Sequence, residues 1–302
     1  MILEKVDLGK DVVGIPIARI PGAKSGPTLL ITAGVDGDEY AGMAASYRLI
    51  EEFSHTPFSG HLIIVPIVNI PGFTAQTSEN PMDGMFPKYV FPGKKNGTPT
   101  ERLCWWVREL AGTANFWLDM HGGALTEILE PFIGSWVSGD KVIDGLVSRV
   151  ITSISCDYAS FENVPSFSKT KLLARMGCGY LLTESGELGK IESQAIERHT
   201  DWAHQVMSVL GMLDRKTGGY HKTLFSHIHE YVVQNDGLWR PHYSVCRQVK
   251  KGEPLGEVRS QIGAVLELVT AKENGMLLWG KVGLSARRGD VVIGVGYDPV
   301  AL

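Results

Sequence analysis

Three short stretches carry side chains able to do metal or acid–base chemistry. Asp36-Gly37-Asp38-Glu39 follows one apolar run, Asp119-Met120-His121 ends a second, and Thr183-Glu184-Ser185 ends a third. Asp36 and Glu39 stand three residues apart at an expected strand-to-helix turn, which lets both carboxylates point at one place. With the imidazole of His121 they would form a three-ligand cage with an open position, the layout of a catalytic metal site as opposed to a closed structural one. Glu184, outside the cage, would take a proton from water as a general base. The same residues also suit ordinary roles. Glycines beside Asp and Glu are common at turns, Asp38 can be a helix N-cap, and His121 can be a hydrogen-bonded core histidine. Local spacing does not separate these readings.

The elements that must position these groups alternate between strand and helix. GPTLLITAG (26–34) reads as a buried, central, parallel strand, and a helix is expected to start near Asp38, with Ala41, Ala44, Ala45, Leu49 and Ile50 at helical spacing. HLIIVPIVN (61–69) reads as a second buried strand, in which Pro66 suggests an edge or a bulge. Residues 70–99 show no periodicity and read as a long functional loop. TERLCWWVRELAG predicts a helix capped by Thr100, on which Trp105 and Trp106 pack; NFWLDMHGG predicts a strand, 140–155 a helix, GYLLTES a strand and 190–213 a long helix. Ligands of open α/β sheets bind beyond the carboxyl ends of the strands, which is where the three reactive stretches fall. The expected fold is therefore α/β, a mostly parallel or mixed central sheet flanked by helices.

From about residue 222 short alternating runs are broken by glycine at close intervals, with no convincing helix. This texture predicts a small all-β module, so that residues 1–220 form one domain and 221–302 another. The net charge of −4 gives no basic footprint for nucleic acid and no polybasic membrane anchor. No apolar run approaches the roughly 18–20 residues of a membrane-spanning helix. MILEKVDLGK carries charges where a signal peptide needs an apolar core, so a cytoplasmic protein is expected. Cys104, Cys156, Cys178 and Cys246 form no metal-binding spacing and read as reduced thiols.

Taken in order, the motifs resemble those of the succinylglutamate desuccinylase/aspartoacylase family, a branch of the zinc carboxypeptidase-like enzymes. GPTLLITAGVDGDEYAG resembles its opening His-Gly-x-Glu segment, LDMHGG its Asp-x-His segment and LLTESG its catalytic-glutamate segment. NIPGF, PMDG and FPG with the TERL that follows resemble its substrate loop and next helix. GLWRPHYSVCRQVKKGEPLGEV resembles its β-domain, which is similar to biotinyl/lipoyl-type hammerheads and barrel-sandwiches. The resemblance runs from about residue 12 to the end of the chain. It implies that Glu39 and His121 are zinc ligands and Glu184 the general base.

Three departures from that pattern bear on function. The family's first zinc histidine falls on Asp36, an arginine of the substrate loop on Ser78, and the Asn-Arg pair that clamps the substrate carboxylate on Lys88 and Tyr89. An Asp oxygen reaches about as far from Cβ as the histidine Nδ1, so the exchange is geometrically allowed. An Asp-Glu-His cage is harder and more negative, holding Zn²⁺ less selectively and tolerating Mn²⁺ or Fe²⁺ better. Lysine is a point charge where arginine offers a fork, so the substrate is expected to differ from the family's usual acidic ones. Ser78, Lys88 and Tyr89 are the candidate substrate-binding residues; Lys88 and Tyr89 equally suit a solvated lysine and a packing tyrosine. Two functions follow: a metal-dependent hydrolase that cleaves the amide bond of a small N-acylated amine, or a non-catalytic descendant that binds a small ligand or a partner. The β-module also offers a surface for a second copy of the chain.

Overall fold

A computed structural model describes residues 1–163, 169–218, 220–243, 245 and 247–301; Cys246 lies outside them. The chain begins with strands β1 (Ile2–Asp7), β2 (Val12–Pro21) and β3 (Lys24–Ala33) and enters helix α1 (Tyr40–Phe53). β4 (Ser59–Val65) leads to the short helices α2 (Ile70–Ala75) and α3 (Pro87–Val90), then to α4 (Pro99–Ala111). β5 (Phe116–His121), β6 (Glu127–Leu129) and β7 (Phe132–Trp136) precede α5 (Lys141–Ser153), β8 (Tyr158–Glu162) and α6 (Lys169–Arg175). β9 (Gly179–Glu184) and α7 (Ser193–Val209) follow. The remainder is strand: β10 (Thr223–Phe225), β11 (His227–Val232), β12 (Gly237–Pro241), β13 (Arg247–Val249), β14 (Pro254–Arg259), β15 (Val265–Thr270), β16 (Gly275–Lys281), β17 (Ser285–Ala286), β18 (Val291–Tyr297) and β19 (Val300–Ala301).

The large sheet is mixed and runs β1-β2-β4-β3-β5-β9-β7-β8-β10-β19. Its centre, β4-β3-β5-β9, is parallel, and β7, β8 and β10 are parallel to one another; the other junctions are antiparallel. The apolar runs in β3 and β5 follow from burial on both faces. Leu29, Ile31, Phe116, Leu118 and Met120 pack under α1 and α7, while Leu30 and Trp117 pack with Leu103 and Val107 of α4 on the other face. A helix layer on each side of the sheet accounts for the strand–helix alternation in the sequence.

Several local expectations are corrected. β4 is interior, between β2 and β3, and stops at Val65; Pro66 lies just past its end, at neither an edge nor a bulge. Helix α4 is capped by Thr98, whose hydroxyl accepts from the Glu101 amide while the Glu101 carboxylate accepts from the Thr98 amide, with Pro99 in the first turn. Thr100 is buried instead, and its hydroxyl and amide both donate to Asp83, at 2.6 and 2.9 Å. Residues 70–99 are not a plain loop: they hold α2, capped by Asn69, then α3 and a bridge between Asn80 and Met85. Helices α1 and α7 are shorter than expected at their ends. The N-cap position of α1 is Glu39, not Asp38, and no side-chain capping bond forms there.

The C-terminal strands other than β10 and β19 build two antiparallel sheets, β11-β18-β16-β13 with β6 added beside β16, and β15-β14-β12-β17. Tyr231, Trp239, Leu255, Val258, Leu277 and Ile293 pack between them. Cys104, Cys156 and Cys178 are buried free thiols, and burial pushes each thiol pKa up, to about 12, 11 and 12. Among the described residues no helix is long and apolar enough to cross a membrane.

Candidate metal and catalytic site

The site lies where β3, β5 and β9 end side by side. After β3 the chain turns through Val35–Glu39 into α1, and this turn presses on α2. A Cβ at Gly37 would lie 2.2 Å from the Gly72 carbonyl carbon, so no side chain fits there. With no cap to make, the Glu39 carboxylate reaches across to β5: its Oε2 lies 2.9 Å from His121 Nδ1 and accepts from the Gly122 amide at 3.2 Å. Asp119 and His121 are two apart on β5 and share one face. The parallel register sets Thr32 beside Asp119 and Glu184 beside His121.

Asp36, Glu39 and His121 are all buried, with ligand atoms within 4.8 Å of one another, and could hold a metal ion. His121 Nδ1 faces both carboxylates, 3.7 Å from Asp36 Oδ2, while Nε2 lies 3.3 Å from Asp119 Oδ2. Asp119 thereby orients the ring, as second-layer carboxylates do for metal-binding histidines. It is itself held: Thr32 donates to Oδ1 at 2.6 Å, Tyr180 to Oδ2 at 2.9 Å, and Lys169 Nζ stands 3.6 Å away. Asp36 differs. Its Oδ1 is buried without a partner, and Oδ2 has only the Lys88 ammonium, at 2.9 Å, as a close one. A fully buried carboxylate with unsatisfied lone pairs costs free energy unless a cation completes it. The donor set and this deficit fit a divalent metal.

The electrostatics sort the groups by role. Burial opposes ionisation of Asp36 and Asp119, but Lys88 and His121 in the first case, and His121 and Lys169 in the second, hold both carboxyls well below the usual range. Burial and the Asp36 charge push Glu39 up; His121 is raised because Asp119 and Glu39 outweigh its burial. Burial, only partly offset by His121 and Lys88, lifts Glu184 to about 7, within the working range of a general base.

Of the three residues expected to bind substrate, Lys88 reaches the Asp36–Glu39–His121 cluster. Ser78 does not: its hydroxyl donates to Asp38 Oδ1 at 2.6 Å. Tyr89 is 59% exposed, with Lys88 Nζ 5.6 Å from its ring centre. Sequence reasoning passed over Tyr180, Lys169, Glu127 and Glu230. Tyr180 was findable, being on the same face as Glu184 four residues on. Lys169 sits over the rings of Phe91, Trp117 and Tyr180, a placement that no local pattern encodes. Glu127 and Glu230 are both raised by burial and lowered by Lys88, so they share its surroundings.

Comparison with known proteins gives a consistent result. A profile of the succinylglutamate desuccinylase/aspartoacylase catalytic domain matches residues 25–210, more than half of the chain. The N-alpha-acetyl-L-2,4-diaminobutyric acid deacetylase of Halomonas elongata is 36% identical over 129 residues, a match spanning 42% of this chain and 37% of that protein. Among solved structures, a succinylglutamate desuccinylase from Silicibacter sp. TM1040 superposes with a TM-score of 0.83 at 24% identity, covering 98% of this chain and 94% of that one. The product-bound ectoine utilization protein EutE (DoeB) from Ruegeria pomeroyi gives the same four values. With the mixed sheet, the strand-end cluster and the matched catalytic segment together, the chain belongs to the succinylglutamate desuccinylase/aspartoacylase family.

Proposed function

We propose that the protein is a metal-dependent amidohydrolase that removes the acyl group from a small N-acylated amine or amino acid. The observation that carries this reading is the buried Asp36 carboxylate, with one oxygen unpartnered, grouped with Glu39 and His121 beside a glutamate whose pKa is raised to about 7. Asp36, Glu39 and His121 would hold zinc, or manganese or iron(II) given two carboxylates, and the ion would supply Lewis acidity at the acyl oxygen. Glu184 takes a proton from the attacking water onto its carboxylate as the water oxygen bonds to the acyl carbon. It then delivers that proton to the departing nitrogen as the C–N bond breaks, leaving a carboxylic acid and a free amine. Asp119 keeps the His121 ring aimed, and Thr32 and Tyr180 keep Asp119 aimed.

Residues 1–220 carry this chemistry, and 221–302 complete its rim. Lys88 and Tyr89 meet the substrate at the mouth, while Ser78 shapes the wall through Asp38. The carboxyls of the half-buried Glu127 and the exposed Glu230, both close enough to Lys88 to be lowered by its charge, favour a substrate that bears an amino group, as a diaminobutyric acid derivative does. The name of the Halomonas relative supports a deacetylase, and no observation favours a purely binding role. The free thiols of Cys104, Cys156 and Cys178 suit the cytoplasm.

Elemental analysis of protein purified without added metal tests the reading, together with turnover on a panel of N-acyl amines. A stoichiometric transition metal is expected, lost in His121→Ala. Glu184→Gln should keep the metal and lower kcat by about 10²–10⁴-fold. Absence of bound metal even after soaking with zinc would overturn the proposal.

A further inference from the structure

Lys88 stands where the cage needs its cation. Its ammonium lies 2.9 Å from Asp36 Oδ2, the same oxygen that faces His121 Nδ1 at 3.7 Å. Asp36 is fully buried and its Oδ1 has no partner, so the Lys88 ion pair at Oδ2 is its nearest compensation. The backbone beneath Lys88 is tied down. The Cys104 thiol donates to the Pro87 carbonyl at 3.3 Å, and the Phe91 ring packs 5.6 Å from that of Trp117. The side chain is freer: it is 33% exposed, on a flexible four-carbon stem beside the exposed Tyr89.

We propose that Lys88 and the divalent metal compete for Asp36, the ammonium sealing the ligand in the metal-free protein and swinging out toward Tyr89 when metal binds. The inference rests on the metal-dependent reading above. An ammonium and a dication that share one buried carboxylate oxygen repel each other in a poorly screened setting, so both cannot hold it at close range. Binding metal must then also displace the lysine, which weakens apparent affinity. The released ammonium is left at the mouth, where a substrate enters.

The test uses the full chain stripped of metal and titrated with zinc against a chromophoric chelator. Lys88→Met, which keeps the stem and removes the charge, should bind zinc at least about tenfold more tightly than wild type. Lys88→Arg, which keeps the charge, should stay close to wild type. A second measurement needs no variant: amine-reactive labelling of the wild-type protein, read at Lys88 by mass spectrometry, should rise severalfold when zinc saturates the site. If wild type binds zinc while Lys88→Met binds no more tightly, or if labelling does not change, the competition is wrong and the hydrolase reading stands. If no form binds zinc, both fall. Should Lys88→Met not fold, the labelling result decides.

Discussion

Two buried aspartates flank His121, and they are built differently. Asp119 accepts from Thr32 and Tyr180, faces Lys169 and His121, and has partners on both oxygens. Asp36 has the Lys88 ammonium at one oxygen and no partner at the other. Both carboxyls are held well below the ordinary range, so ionisation does not tell them apart. Satisfaction does. A saturated carboxylate is part of the frame, because any new partner would have to displace an existing one. An unsaturated one has room for a further partner, as the proposed metal site requires.

The sharpest way to break this comparison is to remove each carboxylate in turn. Asp119→Ala leaves Lys169 without its carboxylate and the Nε2 side of His121 without its partner, and should cost about 3–5 kcal/mol of unfolding free energy in urea, with or without metal. Asp36→Ala releases a lysine that can turn to water, and should cost about 1 kcal/mol in the metal-free protein while abolishing zinc binding. Equal losses in the two variants would refute the division into frame and open site.

A pH series sharpens it next. Glu184, on the open side, is raised from 4.5 to about 7. Between those values the folded protein holds a proton that the unfolded chain has lost. Its contribution to stability is therefore fully present below pH 4.5 and disappears as pH rises through 7, a change of about 3 kcal/mol for the metal-free protein. Glu184→Gln should remove that share of the slope, leaving the shares of the other raised carboxyls Glu39, Glu127, Glu162 and Glu230, and be the more stable protein at pH 8, although far slower in turnover. A slope left undiminished by the substitution would assign the whole titration to the other groups. The smallest effect concerns the frame itself. Thr32→Val deletes one hydrogen bond to Asp119 and should lower stability by about 1–2 kcal/mol with zinc affinity changed only a few-fold.

Long periodic elements were legible and short or distant ones were not. β3, β5 and β9 are apolar runs closed by reactive residues, and their parallel register follows from burial on both faces, so the Asp36, Glu39, His121 and Glu184 neighbourhood could be read from strand ends. Helix α3 has four residues, too few for a 3.6-residue period to show, and the segment around it read as loop. The α4 cap was misplaced by two residues because Thr98 and Thr100 both suit the position; Pro99 in the first turn and Glu101 three residues past Thr98 were the clues that decide it. Lys88 was visible as an exchanged residue, but its pairing with Asp36 depends on how α3 folds back over the strand ends.

Strand β6 carries a consequence for how the protein is made. It has three residues, Glu127 to Leu129, and its ladder partner is β16, where Ile128 meets Gly280. A ribosome delivers both cage carboxylates, His121 and Glu184 well before that partner emerges. The half-built chain thus holds the residues of the candidate site early, while the strand that bears Glu127 waits for its partner near the end of the chain. On the proposed function, capture of substrate, as distinct from the chemistry, would be the property that the growing chain acquires last.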